Sequence, residues 1–170
     1  MRLGRFVILV VTCCAAARAT EGRMRLSSGS FENGKAIPGA FTCDGKDALP
    51  ALAWSGAPEG TKGFAVIVDD PDAPSGLFTH WMAWDLGAAT THLEGAAPAG
   101  AKQGTNDFGK VGWGGPCPPP GKPHHYRFHV YALGAPLGLR AGADRAAFDA
   151  ALAGKVLDEG LLVGTYQRKR

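Results

Sequence analysis

From Met24 onward, apolar and polar positions alternate with a period close to two, in short stretches separated by Gly, Pro, Asn and Asp. A period of two places successive side chains on opposite faces of an extended chain, so each stretch predicts a half-buried strand. The candidates are Met24 to Ser27, Leu52 to Trp54, Gly63 to Asp69, Phe78 to Leu86, His124 to Leu133 and Leu161 to Tyr166. Between them, Asn33-Gly34 is a hairpin signal and Ala57-Pro58-Glu59-Gly60 a turn.

Within the most apolar stretch, alternation puts Phe64, Val66, Val68 and Asp70 on one side, so that Asp70 closes a buried face. In the next, His80, Met82 and Trp84 are expected to share one face and Trp81, Ala83 and Asp85 the other. In the stretch from His124, the inward set is His124, Tyr126, Phe128 and Val130, with His125, Arg127, His129 and Tyr131 facing out. One segment has the other period: Phe148, Ala151, Leu152 and Val156 recur at helical spacing, which predicts a helix over 143–158 with Asp144 as N-cap and Gly160 beyond its end. Residues 87–123 carry little periodicity and predict a long irregular connection. Strands early and one helix late indicate a mainly β sandwich or barrel, not a parallel βαβ sheet.

Composition refines this picture. A chain of 170 residues that is 45% hydrophobic suits one domain with a real core. Arg2 and Arg5 precede the apolar run Phe6 to Val11 and then small residues through Ala19, the order of a cleaved secretory leader. That run is far below the roughly 20 residues a membrane span needs. The expected organisation is therefore a signal peptide over 1–19 and a single domain over 20–170, secreted or periplasmic. Without the leader, Lys and Arg together equal Asp and Glu, and the remaining charge balance gives no support to nucleic-acid binding. Cys43 and Cys117 then remain as an even pair in an oxidising compartment, either bonded or buried as two thiols.

The chemistry-bearing residues sit where apolar faces end. Asp70 and Asp72 lie in the rigid corner Asp69-Asp70-Pro71-Asp72-Ala73-Pro74, His80 follows in the next strand, and His124 with Tyr126 opens a third. The loop Gly112-Trp113-Gly114-Gly115-Pro116-Cys117-Pro118-Pro119 adds backbone N–H groups that could cradle an anion. Neither GxGxxG nor GK[ST] spacing is present, so it is not a nucleotide loop.

Taken in order, Asp70-Pro71-Asp72-Ala73-Pro74, Thr79-His80-Trp81, the 112–119 loop and His124-His125-Tyr126 make the chain resemble the phosphatidylethanolamine-binding protein family, in its bacterial and archaeal, Raf kinase inhibitor-like branch. Phe41-Thr42-Cys43-Asp44-Gly45, Asn106-Asp107-Phe108-Gly109 and Leu162-Val163-Gly164-Thr165-Tyr166 extend the similarity. The resemblance implies two antiparallel sheets with a Greek-key connection. It also implies a small pocket for an anionic or zwitterionic group, phosphate or a phospholipid head group. By position the pocket residues are Asp70, His80, His124 and Tyr126, with Asp72 and the Gly114-Gly115-Pro116 backbone beside them. It further implies a non-catalytic binder that needs no cofactor or metal, with a protein partner it inhibits or regulates and, as in related bacterial proteins, a homodimer. Where the family usually reads His-Arg-Tyr, this chain has His125 in the middle, which puts any partner surface built on that arginine in doubt. The alternative is a hydrolase in which Asp70, Asp72, His80 and His124 bind a metal or act as an acid–base pair. No HExxH or GxSxG motif accompanies them.

Overall fold

A computed structural model describes residues 24–168. The expected leader, residues 1–19, lies outside the described residues. Among the described residues, eight strands form two antiparallel sheets, with one α-helix beside them. The smaller sheet joins β1 (Arg25–Ser27), β2 (Leu52–Ser55) and β5 (His92–Leu93) in the order β1-β2-β5. The larger has the order β6-β4-β3-β7-β8, built from β3 (Gly63–Asp70), β4 (Phe78–Gly87), β6 (Lys102–Gln103), β7 (His124–Leu133) and β8 (Val156–Tyr166). Within it, β7-β3-β4-β6 is the Greek-key order, because β7 returns to the far side of β3 after β6 has closed the other edge.

β3 is apolar throughout because both of its faces are covered. Phe64, Val66 and Val68 pack between the sheets with Trp54, Trp81, Tyr126, Phe128 and Leu162. Ala65 and Ile67 point the other way, to a second cluster with Met82, Trp84, Leu133 and Phe148 beneath helix α1 (Arg145–Leu152). The helix is also tied by charge. Asp69, almost fully buried on that outer face, accepts from Arg127 Nε at 2.7 Å and from Arg145 at 3.1 Å.

The helix is shorter than its periodicity predicts. Asp144 caps it, accepting from the Ala147 N–H at 2.8 Å, but it stops at Leu152, where Gly154 turns the chain through φ +70°. Val156 then begins β8 and is two-fifths exposed, since pairing along the whole of β7 takes residues 156–158 into the sheet. The Asn33-Gly34 turn forms, with Gly34 at φ +76°, yet it joins no two strands. Instead the Gly34 and Ile37 N–H groups donate to Val163 and Thr165 on the free edge of β8. The connection 87–123 is largely irregular, as expected, but contributes the short strands β5 and β6.

Candidate functional site

The corner that ends β3 determines the site. Pro71 has no N–H to continue the ladder, so pairing stops at Asp70, and the Asp72 N–H turns back to donate to Asp70 Oδ1 at 2.8 Å. The other Asp70 oxygen lies 2.7 Å from Nδ1 of His124, the first residue of β7. Both side chains are buried, less than a tenth exposed.

His80 reaches the same place by a departure from strand regularity. Val68 pairs with Trp81 and Asp69 with Thr79, so His80 is an extra residue in β4, a β-bulge. Strict alternation would have sent His80 with Met82 and Trp84 toward the helix. The bulge turns it to the other side, where its ring packs edge-on against Tyr126 at 5.1 Å. His80 Nδ1 lies 2.7 Å from the Gly114 carbonyl, which can only accept, so the proton is on Nδ1 and Nε2 is left for other partners. Burial holds His80 below the usual histidine pKa, against the opposing pull of the Gly114 carbonyl and Asp70.

Asp70, His80 and His124 line one cavity of about 230 Å³. Phe78 and Phe108, Ala73 to Ser75 and Cys117 to Pro119 complete its walls. The remaining expected residues lie behind or beside it. Tyr126 is fully buried behind His80, and its hydroxyl has no hydrogen-bond partner among the described residues. Burial first, then the Asp70 charge, pushes the phenol far above its normal range and keeps it protonated. Asp72 faces outward instead, accepting from both the backbone N–H and Nδ1 of His125 at 2.8 and 2.7 Å, bonds that hold its carboxyl below the usual range. The histidine that stands for the family's arginine is therefore an exposed partner of Asp72.

The glycine loop also differs from expectation. Its N–H groups are used within the protein: Gly114 donates to the His80 carbonyl at 3.1 Å and Gly115 to Asp47 Oδ1 at 2.7 Å, while Pro116 has none to give. Close packing requires both glycines. A Cβ on Gly115 would stand 2.3 Å from Asp47 Oδ1 and 2.6 Å from the Phe41 carbonyl, and one on Gly114 would meet the Phe108 ring. The loop thus supports His80, and the neighbouring Cys117, Pro118 and Pro119 supply wall. Cys117 is bonded to Cys43, with the Cα atoms 5.4 Å apart, which ties this loop to the 42–47 loop.

No pattern in the sequence assigns Phe78, Phe108 or the Pro118-Pro119 pair to the cavity wall. Their motifs were visible in Asn106-Asp107-Phe108-Gly109 and in the proline run, but nothing in them says which side chain turns inward. Asn106 makes that choice: its Oδ1 accepts from the Phe108 and Lys110 N–H groups and its Nδ2 donates to the Gly112 carbonyl, folding the turn that brings Phe108 to 4.8 Å from Phe78. Among the described residues, no three His, Cys, Asp or Glu side chains converge as a metal-binding group.

Residues 27–167 match the family model described as phosphatidylethanolamine-binding protein. The chain belongs to that family. Among its phosphatidylethanolamine-binding protein relatives, a UPF0098 protein of Aquifex aeolicus is 48% identical over 152 residues, covering 85% of this chain and 89% of its own. A Mycobacterium tuberculosis relative with a lipoprotein name, LppC, is 39% identical over 147 residues, covering 85% and 72%. The crystal structure of Escherichia coli YbcL, titled a new member of the mammalian PEBP family, superposes with a TM-score of 0.82 at 35% identity, covering 87% of this chain and all of that one.

Proposed function

We propose that this protein is an exported, non-catalytic binder of a small phosphate-bearing group, anionic or zwitterionic, held in the cavity between His80 and His124. The observation that carries the reading is the pair of imidazoles. Each spends Nδ1 on a protein partner, Gly114 or Asp70, and each keeps Nε2 for a ligand in a cavity of head-group size. An imidazole that takes up a proton as the ligand binds donates from Nε2 to a phosphate oxygen in a charge-assisted bond. At His80 the ligand's charge offsets the burial that disfavours protonation, while Asp70 offsets the added charge or meets a ligand's ammonium. Family membership and the structural likeness support the same class of ligand. Export is supported by the Cys43–Cys117 bond, which needs an oxidising compartment, and by the lipoprotein name of one relative. Inhibition or regulation of a partner protein, and pairing with a second copy, belong to the same proposal.

The test is titration of phosphate and phosphoethanolamine into the folded protein with NMR detection of the histidine rings. Shifts at His80 and His124 that saturate, and weaker binding by His124→Ala, are expected. No shift at millimolar ligand would remove the reading.

A further inference from the structure

The disulfide stands in the cavity wall itself. Cys117 lines the His80–His124 cavity and also a second, smaller one of about 130 Å³, whose walls include Cys43, Asp47 and Gly115. Phe108 and Cys117 are the side chains common to both linings. The two half-cystines differ in exposure, Cys43 being an exposed residue and Cys117 a half-buried one. Around them, three polar contacts tie the loops and hold His80: Cys43 N–H to the Pro116 carbonyl at 3.1 Å, Gly115 N–H to Asp47, and the Gly114 carbonyl to the His80 ring. The buried apolar packing of β3, β4 and β7 does not include the disulfide, although Phe41 and Trp113 of the two loops rest against that packing.

We infer that the Cys43–Cys117 bond is a thiol-exchange site whose state sets the shape of the ligand cavity, with a dithiol reductant as its reaction partner. The reductant's first thiolate attacks Sγ of Cys43, the half-cystine on the more exposed residue. The S–S bond breaks and Cys117 Sγ leaves with the electron pair and takes up a proton. The reductant's second thiolate then attacks its own sulfur in the mixed disulfide, closing an intramolecular disulfide and releasing the Cys43 thiol. Two electrons and two protons pass from the dithiol to the protein. Cys117 is then free to move in the wall, and the loop that fixes His80 through Gly114 keeps its hydrogen bonds and the close packing of Gly115 against the 41–47 segment but loses its covalent tie. The contacts that give way are local, so the sheets keep their order while the cavity loosens.

The ligand-affinity part of this inference rests on the proposed function, and the amide-exchange part does not. The experiment compares the protein before and after dithiothreitol, with free thiols counted, by hydrogen exchange at single amides. After reduction, the Cys43 and Gly115 amides should exchange at least about tenfold faster while Val66 to Val68 change less than about twofold. Cys43→Ser/Cys117→Ser should match the reduced protein. A bond that resists dithiothreitol, protection unchanged at Gly115, or equal loss across β3 would each overturn the inference. Inorganic phosphate should bind the reduced form at least about threefold more weakly; equal affinity in the two forms also overturns it. If phosphate binds neither form, the proposed function fails while the exchange result still decides the switch.

Discussion

The Asp70 carboxylate and the His124 imidazole meet at 2.7 Å across the ends of β3 and β7, and both are buried. Asp70 is doing two things there, since its second oxygen accepts from the Asp72 N–H. Asp70→Ala leaves an imidazole and a backbone donor without their acceptor inside the protein. The expected cost is about 2–3 kcal/mol in urea or thermal unfolding. Phosphate binding should fall with it, because the His124 ring loses the hydrogen-bond partner that fixes its orientation.

His80 makes stability depend on pH in a predictable direction. Burial lowers its pKa in the folded protein, whereas the unfolded chain takes up the proton near the ordinary value of about 6.5. As pH falls below about 6.5, the unfolded state binds more protons at this site than the folded state does. Stability is therefore lost on acidification through the window between the ordinary value and the lowered one. Urea midpoints measured from pH 7.5 to 5 should fall less steeply in His80→Gln than in the natural protein. An equal or steeper fall would show that His80 does not contribute in this sense.

Gly115 is required by close approach, its backbone lying against Asp47 and the Phe41 carbonyl. Gly115→Ala must move backbone as well as side chain, with an expected loss of about 1–3 kcal/mol in thermal unfolding. The displaced loop carries the Gly114 carbonyl, so the His80 ring resonances should shift in the same variant.

Asp69 is the more buried member of its network, whereas Arg127 and Arg145 are each about a third exposed. Removing both arginines strands a buried carboxylate, which is the costly direction, about 3 kcal/mol or more. Adding Asp69→Asn to Arg127→Ala/Arg145→Ala should recover part of that loss. Unfolding free energies of the natural protein, Asp69→Asn, the double arginine variant and the triple variant test this as a cycle.

The alternating pattern is sufficient to place the long strands, because stretches of period two mark each of them and the doubly covered β3 shows as an unbroken apolar run. It failed at His80, where one extra residue in β4 reverses the face. No period announces a bulge, and the residue was assigned to the pocket by resemblance. The helix was overextended through Val156 because helical spacing and strand alternation both accommodate an apolar residue there, and only pairing with β7 decides between them. The cavity walls were the least legible part. Phe108 is brought in by hydrogen bonds from Asn106 across a turn, and the engagement of the Gly114 and Gly115 amides depends on partners at His80 and Asp47, far away in sequence.

The two neighbouring acids at the end of β3 stand back to back. Asp69 holds the helix through Arg145 on one side of the sheet, and Asp70 holds His124 on the other, with a single peptide unit between them. Arg145 on the helix surface therefore stands, through Asp69, one peptide unit from the carboxylate that holds His124. The far side of the sheet is where variants that tune the proposed pocket without touching it should be sought.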